Sequence, residues 1–352
     1  MFRVCFTMFV ISMCLNGIRP ALAGASPEHR GVCFVAGPRA FNKDAFKELA
    51  ALNVTWISAT PFGWMEGGKP TVRTETEHVW WGESDRGMEA TFRGAKAEGI
   101  KVLLNPHIWI RSRTEGEWRG TIRFDTEAEW LEWERTYRAF MMHYARLADR
   151  HDVDALCIGT ELRGAVTERP QFWHGLIDSV RSVYGGKLTY AANWYLEYEE
   201  VTFWDALDFA GIQAYFPLAS AEDNISVELL TTSWQAHREA LERFQAKVGK
   251  PIVFTEAGYR STADGPVEPW LWHSDAPVSA EVQAACYEAM FEVFWKQPWF
   301  DGAFIWKWYP YPERRTGRRV GDFTPQGKPA EAVMARWYGV RDVGEALPEA
   351  VE

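Results

Sequence analysis

ALCIGTELRG, residues 155–164, is an apolar run without polar alternation that stops on a carboxylate, Glu161. Strands covered on both faces read as such runs, whereas half-exposed strands alternate. PIVFTEAGYRS, residues 251–261, repeats the pattern and delivers Glu256. Six more runs of the same kind flank these two: GVCFVA (31–36), VTWISATPF (54–62), KVLLNPHIW (101–109), LTYAANW (188–194), FAGIQAY (209–215) and GAFIWKW (302–308).

Helical patterns separate them. NKDAFKELAALN, GMEATFRGAKAEG and QFWHGLIDSVRSVY are the shorter ones, and TEAEWLEWERTYRAFMMHYARLADRH is the longest. Thr126 with Glu129 predicts a capping box at the start of that longest helix. Only the fifth connection, near VTFWDALD, is short. Eight β-then-α units predict an α/β fold, the (β/α)8 TIM barrel. A doubly wound open sheet is the runner-up, but no Gly-rich phosphate turn follows the first strand. The barrel is expected as a single domain over residues 30–340, after an extension at 24–29 and before a tail at 341–352.

Residues 1–23, MFRVCFTMFVISMCLNGIRPALA, carry Arg3, an apolar run and a small-x-small end at Ala21 to Ala23. That reads as a secretory signal peptide, since the apolar run is too short to span a bilayer. The expectation is export to a periplasmic or extracellular location, with lipid anchoring through Cys14 as the rival. Loss of Arg3 and Arg19 with the leader takes the net charge from −10 to −12. An acidic chain is a poor partner for nucleic acid or an anionic membrane. Cys33, Cys157 and Cys286 would remain; their spacing matches no metal motif, and they read as buried free thiols with one disulfide left open. Oligomeric state is not legible.

Active sites of this barrel lie at the C-terminal ends of its strands. Those ends carry Phe62, Trp64, Asn105, His107, Trp109, Glu161, Asn193, Trp194, Gln213, Tyr215, Glu256, Tyr259, Trp306, Lys307 and Trp308. Carboxylates, amides and indoles together suit a neutral polyol, whose C–H faces stack on rings while its hydroxyls find amides. Glu161 and Glu256 are the only acids at strand ends, and cleaving a glycosidic bond needs two: one protonates the leaving oxygen, the other attacks or activates water. The plainer reading is a pair of structural glutamates satisfied by Arg163 or Lys307. Tyr215 is placed to donate to Glu256 and hold it ionised, or else is a rim aromatic. Trp64, Asn105, His107, Trp109, Asn193, Trp306 and Trp308 are the substrate-binding candidates, while Trp80, Trp81, Trp130, Trp133 and Trp173 read as packing residues. The loop 262–278, with Trp270, Trp272 and His273, is a candidate wall of the cleft. The Arg314 to Arg319 run, RRTGRR, reads as a solvated loop. No HExxH, GxSxG or Cys/His cluster occurs, so the serine-hydrolase and metalloprotease signatures are missing and neither metal nor cofactor is expected.

KVLLNPHIWI, CIGTEL, PIVFTEAGY and the tail DFTPQGKPAEAVMARWY together resemble glycoside hydrolase family 113, a clan A barrel family, over about residues 30–340. The resemblance implies a retaining β-mannanase with Glu161 as acid/base and Glu256 as nucleophile. Glu161 would then hold a proton at working pH while Glu256 stays charged. It also marks a departure: clan A enzymes usually place Asn immediately before the acid/base, where this chain has Thr160, so the 2-hydroxyl contact falls to Asn193 or His107. Other β-linked glycans (glucomannan, glucan, xylan) and a non-catalytic carbohydrate-binding barrel are the alternatives.

Overall fold

The computed structural model describes residues 27–340 apart from 36, 43, 75–78, 113 and 312–319. Segment 1–23, read above as a signal peptide, the RRTGRR run and the 341–352 tail lie outside the described residues. Eight strands close into one parallel barrel: β1 (His29–Phe34), β2 (Trp56–Ala59), β5 (Lys101–Leu104), β7 (Ala155–Thr160), β8 (Lys187–Asn193), β9 (Ala210–Gln213), β10 (Ile252–Ala257) and β11 (Phe300–Trp308), each paired to the next, with β11 returning to β1. The apolar runs are what such a barrel demands, since each strand is covered inside by packed side chains and outside by helices.

Two of the anticipated strands break in the middle, for one physical reason. Pro61 and Pro106 lack the amide that the barrel ladder needs, so β2 and β5 stop just before them. The chain then restarts as β3 (Phe62–Glu66) and β6 (His107–Arg111), which pair in parallel with Trp64 opposite Trp109. The two-residue strand β4 (Arg73–Thr74) completes this small second sheet.

Eight of the helices are α1 (Ala45–Ala51), α2 (Asp85–Ala97), α3 (Glu127–Arg150), α4 (Arg163–Glu168), α5 (Pro170–Arg181), α7 (Val227–Val248), α8 (Ala280–Phe294) and α9 (Pro329–Trp337). The fifth connection holds only α6 (Glu197–Glu200) and one 3-10 turn, as its length implied. Thr126 and Glu129 form the capping box that starts α3: Thr126 Oγ1 accepts from the Glu129 amide, and the Glu129 carboxylate accepts from the Thr126 amide.

The core has two layers. Trp56, Leu103, Cys157, Phe209, Val253, Phe304 and Trp306 fill the barrel interior, while Trp133, Tyr137, Phe140, Trp173, Trp234 and Trp308 pack between sheet and helices. Burying each large side chain contributes on the order of 1.5–3 kcal/mol. Of the tryptophans read as packing, Trp130, Trp133 and Trp173 are buried, but Trp80 is half exposed. The three cysteines are buried free thiols. Among the described residues, no helix is long and apolar enough to cross a membrane.

Candidate active site

A cleft of about 800 Å³ opens at the C-terminal end of the barrel, and both strand-end acids line it. Glu161 follows β7 directly, with φ +53°, an uncommon conformation for a residue with a side chain. Its amide donates to Ala191 O at 2.9 Å, which turns the side chain out of the strand and into the cleft. Asn193 Nδ2 donates to Glu161 Oε1 at 2.7 Å. Arg119 donates to Oε2 from Nε at 3.1 Å and from Nη2 at 2.6 Å.

Glu256, from β10, is held differently. Tyr215 Oη donates to its Oε2 at 2.7 Å, and Oε1 has no hydrogen-bond partner among the described residues. His107 Nε2 lies 3.7 Å from Oε1. On the other side of that ring, Nδ1 is 3.3 Å from Arg119 Nη1. A guanidinium can only donate, so Nδ1 must be the acceptor and Nε2 must carry the ring proton. Burial and then the Arg119 charge hold His107 well below its usual range, in keeping with a neutral ring. The two acids are thus connected through Arg119 and His107.

Burial raises the Glu256 carboxyl to about 7, with Glu161's charge adding to the rise and Tyr215, Arg119 and Gln213 opposing it. An acid 4 % exposed inside a barrel mouth pays desolvation that one tyrosine hydroxyl does not offset. The cations proposed to neutralise the pair are engaged elsewhere. Arg163 makes a two-pronged contact with Glu200 at 2.6 and 2.7 Å, and Lys307 Nζ lies 3.8 Å from Asp322 Oδ1.

The walls are aromatic. Trp109 is half exposed on one side with Trp118, and Trp306 lines the floor at 8 % exposure. Trp270 stacks on Trp194 with centroids 5.4 Å apart, and Trp272 meets Trp306 edge-on at 6.0 Å. Both loop tryptophans therefore line the cleft, as the 262–278 reading anticipated. The loop is closed by a bridge between Thr262 and Val278 and held by Arg260, whose guanidinium donates to the carbonyls of Leu271 and His273.

Glu161, Glu256, Tyr215, Trp109, Asn193 and Trp306 thus share one cleft, and His107 sits just behind the acids. Besides His107, three candidates do not line it. Trp308 is 1 % exposed and belongs to the sheet–helix layer. Trp64 lies in the small sheet under the Arg111 guanidinium, 4.3 Å from its ring centre. Asn105 is fully buried, and its Oδ1 accepts from Thr160 Oγ1 at 2.9 Å, so the unusual Thr160 is spent on an internal contact. Arg119 and Trp118 were not anticipated. They come from the segment between β6 and α3, around the 3-10 turn Arg119–Thr121, which has no periodic pattern to read. Among the described residues, no group of three His, Cys, Asp or Glu side chains is arranged to hold a metal.

Comparisons with known proteins point the same way. The family description Glycoside Hydrolase Family 113 matches residues 38–328. The solved family 113 β-mannanase AaManA of Alicyclobacillus acidocaldarius, in complex with ManMIm, is 30% identical with TM-score 0.75, covering 89% of this chain and 97% of its own. A family 113 β-1,4-mannanase solved as a complex is 25% identical with TM-score 0.76, covering 90% of this chain and 100% of its own. A β-glucuronidase of Ruminococcus gnavus shares the barrel alone, at 17% identity and TM-score 0.57 over 87% of this chain and 49% of its own. No curated protein matches.

Proposed function

The chain belongs to glycoside hydrolase family 113 and is a glycoside hydrolase, and from that premise we propose that it cleaves β-1,4-mannosidic bonds in mannan or manno-oligosaccharides with retention of configuration. The observation that carries the reading is the pair Glu161 and Glu256, delivered by β7 and β10 to one aromatic-walled cleft. The structurally similar proteins named as β-1,4-mannanases support the linkage.

In the proposed reaction Glu256 Oε1, the oxygen without a partner, attacks the anomeric carbon while Tyr215 keeps Oε2 in place. The bond from that carbon to the leaving oxygen breaks, and Glu161 gives its proton to the leaving oxygen. Glu161 then takes a proton from water as the hydroxide replaces Glu256 on the sugar, so one water is consumed and both acids are restored. The attacking carboxylate has to be ionised and the acid protonated. For Glu256 to attack, it has to give up the proton that burial favours on it up to about pH 7.

A second reading exchanges the roles, and one observation favours it: the Arg119 guanidinium contacts Glu161 while Glu256 is the acid raised by burial. Trapping with a 2-deoxy-2-fluoro-mannosyl fluoride and mapping the labelled peptide separates the two. Label on Glu256 supports the first assignment; label on Glu161 reverses it. The substrate is tested by incubation with defined β-1,4-manno-, gluco- and xylo-oligosaccharides, following the released anomer by proton NMR. Faster turnover of a gluco or xylo series, or an inverted product, would overturn the proposal. Export is proposed as well, on the pattern of residues 1–23; its check is the N-terminal sequence of protein recovered outside the cytoplasm of an expressing bacterium, where an intact leader would contradict it.

A further inference from the structure

The site as described leaves a fully buried acid beside it unused. Glu197, the first residue of α6, is fully buried, and its carboxylate accepts from two groups that both lead to Glu161. Oε1 accepts from Tyr190 Oη at 2.5 Å, and Oε2 from the Asn193 amide at 2.6 Å. Tyr190 Oη in turn accepts from the Leu162 amide at 2.7 Å, the peptide that directly follows Glu161. Asn193 then presents its side-chain amide to Glu161 Oε1 at 2.7 Å. The two arms start on one carboxylate and end on either side of one catalytic candidate, the first on its backbone and the second on its side chain.

That backbone needs holding. A residue with a Cβ at φ +53° costs of order 1–3 kcal/mol and persists only where its surroundings over-determine it. The Glu161 amide is tied to Ala191 O, and the next amide is tied to Tyr190. Tyr190 can accept from Leu162 in this orientation because its own proton is taken by Glu197. The Asn193 amide can only donate, so Oε2 accepts from it, while Oε1 accepts from Tyr190 Oη, a hydroxyl that can accept as well as donate. Burying an acid here is costly, and burial raises the Glu197 carboxyl to about 8 despite its two hydrogen bonds.

We propose that Glu197 is a positioning residue for the acid/base: through Tyr190 it sets the backbone of Glu161 and through Asn193 it aims the carboxyl at the leaving oxygen. This rests on the reading of Glu161 as the proton donor. The expected signature is a loss confined to substrates that need protonation, because a good leaving group departs without help and a poor one does not.

The test measures kcat/KM on aryl β-mannobiosides of graded leaving-group acidity for the parent, Glu197→Gln, Tyr190→Phe and Glu161→Ala, with thermal melts of each. Glu197→Gln is expected to lose about tenfold or more on the phenyl substrate, part of the 10²–10⁴ that general acid catalysis supplies, and to stay within about twofold on the dinitrophenyl one. Tyr190→Phe severs the backbone arm alone and is expected to show the same skew to a smaller degree; it carries the test if Glu197→Gln does not fold. Equal losses on all substrates, or no loss, in the variants that fold would overturn the proposal. Should Glu161→Ala itself show no dependence on the leaving group, the assignment of the acid fails instead, and that outcome is distinct.

Discussion

Tyr215 donates to one oxygen of Glu256 at 2.7 Å, and the other oxygen is buried without a hydrogen-bond partner among the described residues, 3.7 Å from His107 Nε2. One hydrogen bond therefore divides the carboxylate into a held atom and a free one. The division matters because an attacking group must be oriented yet not saturated: every hydrogen bond on the reacting oxygen would have to break on the way to the transition state. Glu161 shows the opposite arrangement, with both oxygens held by Asn193 and Arg119.

Tyr215→Phe removes the held end. Burial keeps the phenol protonated, so it is a donor throughout the working range. A hydrogen bond to a charged group contributes about 1.5–3 kcal/mol, so kcat should fall about 10- to 100-fold. The tyrosine also opposes the rise in Glu256, so the acidic limb of the pH profile should move to higher pH. Kinetics across pH check both; an unchanged limb would show that Tyr215 does not act on Glu256.

The parent's own pH profile follows from the same carboxyl. Glu256 has to be ionised to attack and in the free protein loses its proton at about 7. The acidic limb of kcat/KM should therefore lie near pH 7, with a tenfold loss per pH unit well below it. A limb near pH 4, the ordinary carboxylate range, would mean that Glu256 is not the group being titrated.

The barrel was legible because burial on two faces leaves unbroken apolar runs, and all eight survive as strands. What lay beyond those runs was less so. Trp306 and Trp308 sit two apart at the same strand end, and the sequence places both in the site with Trp306 preferred; packing puts Trp306 in the interior cluster and Trp308 against the helices. Pro61 and Pro106 were visible, and their missing amides explain why β2 and β5 end, but pairing of the two restarted segments depends on three-dimensional register. Arg119 was illegible for a different reason. It stands in an aperiodic connection, and its partner Glu161 is 42 positions away, so no local pattern joins them.

The contrast between the two tryptophans is measurable. Trp308→Ala empties a fully packed site and should cost about 3–5 kcal/mol of stability, with near-parent kinetics for the folded enzyme at low temperature. Trp306→Ala removes a ring from the cleft and should raise KM by up to about tenfold with a smaller loss of stability. Melting curves and steady-state kinetics on the two variants check the pair, and a KM effect at Trp308 would place that ring in the site after all.

Glu256 should also be a stability cost of function. Its folded-state carboxyl lies at about 7 against an ordinary 4.5, so the folded protein binds more protons than the unfolded chain between those values, and stability falls as pH rises through that window. Glu256→Gln carries no charge to desolvate. It should melt with the parent near pH 4.5 and be more stable above pH 7, by up to about 3 kcal/mol at 1.36 kcal/mol per pH unit. Calorimetry at the two pH values reads the difference, and a gap independent of pH would assign the effect to packing.

Arg119 separates charge from geometry. Its guanidinium touches Glu161 through two nitrogens and His107 through a third, and its charge opposes the rise in Glu256. Arg119→Ala removes both contributions, so kcat/KM should fall about 10- to 100-fold and the acidic limb should move to higher pH, since Glu256 then loses a favourable cation. Arg119→Lys keeps the positive charge but loses the planar fork, because an ammonium cannot reproduce donation in two directions from a rigid plane. Its limb should stay close to the parent's while kcat/KM still falls several-fold. If instead lysine restores full activity, Arg119 acts on the pair as a charge alone, and the connected path from Glu161 through Arg119 to His107 has no part in placing the acids.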